Sequence, residues 1–84
     1  MNAKLRRTLK ALFATPTRAN VRFSDVEALI IALGGEVREG AGSRVAFELQ
    51  GRRLYLHRPH PGRDAKRYQM EEVREFLRSL EIQP

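Results

Sequence analysis

The sequence predicts an α+β fold in which an α-β-β-β-α core follows an extra N-terminal helix. Alternating apolar and polar residues on both sides of Gln50-Gly51 predict a β-hairpin. Apolar residues three and four positions apart predict helices before and after this hairpin. The 84 residues suit one small domain, and a chain of this length hides only about 60% of its unfolded surface. The chain therefore has little core to spare.

The N-terminal segment predicts a short basic helix. Leu5, Leu9, Leu12 and Phe13 recur at helical spacing among Lys and Arg residues, and Pro16 follows as a stop signal. The apolar run of this segment is too broken for a signal peptide, and no later segment approaches a membrane span. We therefore expect a cytoplasmic chain that does not engage a membrane.

The second predicted helix is marked at both ends. Ser24 and Glu27 have the spacing of a capping box, which would satisfy backbone N–H groups of the first turn. The apolar face of this helix consists of Val26, Leu29, Ile30 and Leu33. Gly34-Gly35 supplies the left-handed conformation in which helices commonly end.

Three strands and a last helix are predicted after Gly34-Gly35. Residues 35–38 predict a short first strand, and the hairpin strands follow it. The inward-facing residues of the hairpin are Val45, Phe47, Leu49, Leu54 and Leu56. The amphipathic C-terminal helix is marked by Met70, Val73, Phe76, Leu77 and Leu80.

A two-residue turn fixes the register of the hairpin, because every pair is counted outward from it. Glu48 then lies opposite Arg53 as a cross-strand ion pair, which is worth only a few tenths of a kcal/mol at a surface. Arg44 lies opposite His57, and both fall on the face away from the apolar residues. The register therefore places a guanidinium and an imidazole in one patch.

The charge of the chain indicates a polyanionic partner. Sixteen Lys and Arg against ten Asp and Glu give a formal net charge of +6 and a sequence pI near 10.8, the electrostatic footprint of a protein that meets phosphates. The absence of cysteine excludes disulfides and thiolate metal sites. The two histidines stand without a carboxylate cluster at ligand spacing, so we expect no metal and no cofactor.

Two stretches, GSRVAFELQGRRLYLHRPHPG and EEVREFLRSLEI, together with the order of elements, resemble the HicA family of bacterial toxins. The resemblance covers Phe23 to Ile82 and implies a double-stranded-RNA-binding-like fold. We accordingly predict a basic helix and connector over residues 1–20 and a HicA-like domain over residues 21–84.

Three short elements carry this resemblance. A Gly-Ser-His element enters the second strand in family members, and here it reads Gly42-Ser43-Arg44. A Pro-His element follows the third strand as Pro59-His60, and the start of the last helix matches Tyr68-Gln69-Met70. The position of the family's catalytic histidine is therefore Arg44 in this chain.

The resemblance implies a toxin that cleaves messenger RNA, arrests translation and forms a hetero-oligomer with a HicB-type antitoxin. Metal-free RNA cleavage uses the neighbouring 2′-hydroxyl as nucleophile, so it needs a base, an acid and a cation for the phosphorane charge. His57 is the candidate base or acid, because histidine titrates near neutral pH. Arg44 is the candidate phosphate clamp, and His60 or Lys66 could assist.

A basic run around the hairpin predicts an RNA-binding surface, since its cations would repel one another without an anionic partner. The candidate RNA-binding residues are Arg53, Tyr55, Arg58, Arg63, Lys66 and Arg67. Tyr55 could stack on a base or could serve sheet packing. His57 could equally be a surface histidine, and His60 part of a stiff connector between two prolines.

Two other readings remain open beside the ribonuclease. The first is a non-catalytic RNA-binding module of the same fold, which the arginine at position 44 favours. The second is a protein-interaction domain that binds an acidic partner, which explains the charge but not the placement of Arg44 opposite His57.

Overall fold

A computed structural model describes all 84 residues of the chain and contains three helices and three strands. The elements are α1 (Ala3–Phe13), α2 (Phe23–Ala32), β1 (Glu36–Glu39), β2 (Arg44–Leu49), β3 (Arg52–His57) and α3 (Arg67–Ser79). The strands form one antiparallel sheet in the order β1-β2-β3. The predicted α+β class and the α-β-β-β-α core behind an extra helix are confirmed.

The β2–β3 hairpin has the predicted turn and register. Gln50 and Gly51 have φ values of 51° and 78°, as a two-residue turn that matches the twist of its strands requires. Arg53 pairs with Glu48 across the two strands. The turn chemistry alone therefore determines which side chains meet on each face.

The start of α2 differs from the prediction. The helix begins at Phe23 with Arg22 as its N-cap, and no side chain caps it, so the capping box predicted from Ser24 is wrong. An isolated antiparallel bridge joins Arg22 to Asp64, and the Phe23 N–H donates to the Arg63 carbonyl at 2.8 Å. This long-range pairing holds the chain extended up to Arg22 and so determines where the helix begins.

Helices cover one face of the sheet, and a single core lies between them. Phe47, at the centre of β2, is fully buried, and its ring lies 5.8 Å from that of Phe23 on α2. Met70 and Leu77 bring the apolar face of α3 to the same core. Burial of each such side chain contributes roughly 1.5–3 kcal/mol.

The N-terminal helix is part of this core and is tied to α3. Leu12 of α1 is fully buried, and the Arg74 guanidinium of α3 donates to the Leu12 carbonyl at 2.7 Å and to the Thr17 hydroxyl at 3.0 Å. Arg74 thereby satisfies a carbonyl that the end of a helix leaves unpaired. Residues 1–20 are consequently fixed against the rest of the chain. No helix has both the length and the apolar character needed to cross a lipid bilayer.

Candidate functional site

The open end of the β2–β3 hairpin presents Arg44 and His57 side by side. The two residues are cross-strand partners, and both are exposed on the face away from the core. The Arg44 guanidinium forms no ion pair and no side-chain hydrogen bond. The backbone beneath it is fixed, because the Arg44 N–H donates to Ala41 at 3.1 Å and the Arg44 carbonyl accepts from Gly40 at 2.8 Å. An unpaired guanidinium and an exposed imidazole therefore lie side by side on a fixed backbone.

Ser43 positions the imidazole of His57. Its Oγ lies 3.2 Å from His57 Nδ1, while Nε2 makes no hydrogen bond within the protein. When Nδ1–H donates to the hydroxyl, Nε2 carries the lone pair that can accept a proton. Sequence reasoning quoted Ser43 within the family element but assigned it no role. The predicted register could not have revealed this contact, because it places Ser43 opposite Arg58, whose N–H donates to the Ser43 carbonyl at 2.8 Å.

Gln69 fixes the backbone at the end of β3. Its side chain is only 2% exposed, its Nε2 donates to the His57 carbonyl at 2.7 Å, and its Oε1 accepts from the Lys66 N–H at 3.0 Å. One amide thus joins the end of β3 to the start of α3. The sequence offered no signal for this role, because a glutamine in the first turn of a helix is usually exposed to solvent.

Tyr55 lies next to this pair on the outer face of the sheet. Its ring is 66% exposed, and its cross-strand partner is the small Ala46. A shallow depression beside the ring is lined by Arg38, Arg44 and Tyr55 among other residues. An exposed ring beside an unpaired guanidinium can stack on a nucleobase while the cation meets a phosphate.

Arg58 is held by two carboxylates. Its Nη2 donates to Glu27 and Glu39, at 2.7 Å in each case, and Nη1 donates to Glu39 at 2.6 Å. Hydrogen bonds to Glu39 and then Glu27 raise the pKa of Arg58, and the same contact lowers the pKa of Glu39. Arg58 therefore joins α2, β1 and the end of β3, and its guanidinium is already occupied where an RNA contact was predicted.

Arg53 is also committed within the protein. Glu48 forms the predicted ion pair with Arg53 and accepts a hydrogen bond from Arg38 at 2.7 Å. The hydrogen bond from Arg38 is the main reason that the pKa of Glu48 is lowered, although partial burial opposes it. The carboxylate at the turn end of the hairpin thus neutralises two arginines.

The remaining candidates lie after β3. Arg63, Lys66 and Arg67 are exposed, and no carboxylate pairs with them. His60 is exposed in the connector and makes no side-chain hydrogen bond. No group of three or more His, Cys, Asp and Glu side chains lies together as a metal site would require.

The family model described as "HicA toxin of bacterial toxin-antitoxin" matches residues 23–82. The matched range includes α2, the whole sheet and α3, and with them Arg44 and His57, whereas it leaves out α1. Neither the curated proteins nor the solved structures contain a match to this chain.

Proposed function

This chain belongs to the HicA family of bacterial toxins, and from that premise we propose that it is a metal-independent endoribonuclease. It would cleave messenger RNA in the cytoplasm and arrest translation until a HicB-type antitoxin binds it. The observation that carries this proposal is the exposed pair of Arg44 and His57, which faces solvent and forms no ion pair with a carboxylate.

The pair can supply the groups that RNA cleavage needs. Nε2 of His57 would take the proton from a 2′-hydroxyl, whose oxygen then attacks the adjacent phosphorus. The two N–H groups of the Arg44 fork would bind the non-bridging oxygens, where negative charge develops. The bond from phosphorus to the 5′-oxygen breaks, and His60 or Lys66 would supply the proton to that oxygen. The product is a 2′,3′-cyclic phosphate.

Arg44 does not replace the family histidine in function. A guanidinium does not lose its proton under physiological conditions, so it cannot act as a base. It does offer two parallel N–H donors to a phosphate, which an imidazole does not. In this chain we assign proton transfer to His57 on the adjacent strand and phosphate binding to Arg44.

A purified sample of the chain, incubated with long RNA without metal ions, tests this proposal. We expect fragments whose 3′ ends carry a 2′,3′-cyclic phosphate, detected by mass spectrometry. The second candidate function, a non-catalytic RNA-binding module, is favoured by the arginine at position 44. The RNA-binding module is supported if the chain binds RNA, leaves every RNA intact and does not slow growth on induction.

The antitoxin is tested by co-expression with the product of the adjacent gene. We expect capture of a tight complex in which the partner lays carboxylates across Arg44 and His57, because complementary charge favours association and protects both groups from RNA. Recovery of the basic chain alone would count against a toxin–antitoxin pair. Capture without any RNA binding by the free chain would support the protein-interaction domain instead.

A further inference from the structure

The net charge of this protein lies outside the part that matches the family. Residues 1–22 contain six of the sixteen Lys and Arg and none of the ten Asp and Glu. Residues 23–84 therefore contain ten residues of each sign and are formally neutral. The family match begins at residue 23, so the whole excess of +6 is carried by α1 and the connector that follows it.

The cations of α1 are exposed because the apolar face of the helix is used in the core. Leu9 and Leu12 are 7% and 0% exposed, which leaves a solvent-facing surface rich in Lys and Arg. A cleft of about 310 Å³ beside the helix is lined by Lys4, Arg7 and Arg18 among other residues. The only carboxylate lining it is Asp25, whose partner is Lys4 at 3.4 Å.

The connector continues this basic surface toward the hairpin. The Val21 carbonyl accepts a hydrogen bond from the Ala65 N–H at 2.7 Å. The backbone of Arg22 pairs with that of Asp64 in an isolated β-bridge. Residues 63–65, which pair with the connector, belong to the segment that leaves β3 directly after His57. Exposed cations without a carboxylate partner therefore occur in α1, in the connector and in the segment that leaves β3.

We propose that Arg7, Arg18 and Arg22 form a second phosphate-binding surface, which holds RNA that extends beyond the Arg44–His57 pair. This inference rests on the proposed function and adds to it the source of the RNA affinity. Lipid is not the occupant, because a helix that lies on a membrane inserts its apolar face, and here that face is buried in the core. None of the three arginines has a carboxylate partner within the protein, so each is available to a phosphate.

Charge variants test this surface better than truncation does, because α1 contributes Leu12 to the core and removal of the helix would expose core residues to solvent. The double variant Arg7→Gln/Arg18→Gln removes two exposed charges from the cleft. Arg52→Gln is the control, since it removes an exposed charge without a carboxylate partner from the hairpin turn, outside α1 and the connector. Circular dichroism and thermal melting of both variants check that the fold is retained.

RNA of two lengths separates the two surfaces. Single strands of about 6 and about 16 nucleotides fall within the range of site sizes of small single-strand-binding domains. On the long RNA we expect the double variant to reduce the slope of log K against log salt by about 1.4 and to weaken binding roughly 25-fold at about 0.1 M salt. The short RNA, held at Arg44 and His57, should bind the double variant almost as tightly as it binds the parent. Arg7→Lys/Arg18→Lys should retain the parent slope.

Each alternative result identifies which idea fails. If the double variant matches the parent on long RNA while Arg44→Gln still loses affinity, the second surface is overturned and the proposed function stands. If the parent binds neither RNA, both are overturned. If the double variant loses binding to an acidic partner protein but keeps its RNA affinity, the surface belongs to that protein and the RNA assignment is overturned.

Discussion

The two ends of the β2–β3 hairpin share the same strands and the same outer face, yet their arginines differ in whether a carboxylate binds them. At the turn end, Glu48 binds both Arg53 and Arg38. At the open end, Arg44 faces His57 and forms no ion pair. Counting basic residues along the sequence treats both ends as equal. The structure shows that Arg53 on the outer face of the turn end is already paired with Glu48, whereas Arg44 on the outer face of the open end is unpaired.

The difference has a simple electrostatic meaning. A carboxylate that is already shared between two guanidinium groups adds only about 0.2–1 kcal/mol of stability for each exposed pair, but it removes both cations from competition for a phosphate. An unpaired cation adds nothing to stability and keeps its full attraction for an anion. Free cations therefore indicate the binding surface more reliably than basic composition does.

The largest expected effect concerns His57 at the open end. His57→Ala should lower the cleavage rate roughly 10²- to 10⁴-fold, as is typical when a proton-transfer group is removed, while RNA affinity changes little. Cleavage of long RNA and a binding titration measure the two quantities separately. His60→Ala, in the connector after β3, tests the candidate acid separately. Equal cleavage by His57→Ala and the parent would transfer the role to His60.

The next effect separates Arg44 from Arg53, which lie on the same face at opposite ends of the hairpin. Arg44→Gln should lower turnover about 10²-fold, because it removes donors from the developing phosphorane charge, and should flatten the salt slope by about 0.7. Arg53→Gln should leave the slope unchanged, since Glu48 already holds that guanidinium. Salt titrations of both variants provide the measurement. Equal slopes would show that Arg44 and Arg53 contribute equally to phosphate binding, which would contradict the proposed difference.

A smaller effect distinguishes the paired Arg58 from the free Arg63. Arg58→Gln breaks the contacts to Glu27 and Glu39 and should lower the free energy of unfolding by about 1 kcal/mol, the sum expected for two partly exposed pairs. Arg63→Gln should leave the unfolding free energy unchanged and weaken RNA binding instead. Urea denaturation measures the first quantity. If Arg58→Gln keeps its stability but binds RNA more weakly, Arg58 contacts phosphate as the sequence predicted.

The smallest effect is the pH dependence of stability at the paired sites. Arg58 lowers the pKa of Glu39, and Arg38 lowers that of Glu48, below the ordinary value of 4.5. Each carboxylate thus stabilises the fold above the unfolded-state pKa, and this contribution is lost as pH falls through the folded-state pKa. The urea midpoint should therefore fall with acidification below about pH 4.5. Glu48→Gln should show a shallower fall, and an unchanged profile in that variant would contradict the assignment.

Local sequence signals predicted the hairpin because its register depends on residues that are adjacent in the chain. The Gln50-Gly51 turn determines the pairing of Arg44 with His57 without reference to any long-range contact. The start of α2 could not be predicted in this way, because the pairing of Arg22 with Asp64 joins residues far apart in the sequence. The role of Gln69 was missed for the same reason, since its acceptor is the carbonyl of His57.

The sequence by itself determined the fold class, the order of elements and the face on which Arg44 and His57 lie, because periodicity and turn chemistry are local properties. Only the tertiary structure decided which cations are free. Arg58 meets Glu27 and Glu39 across long stretches of chain, whereas Arg18 and Arg22 meet no carboxylate. A charge is countable in the sequence, but its partner is a neighbour in space, and the strength of an ion pair depends on that distance.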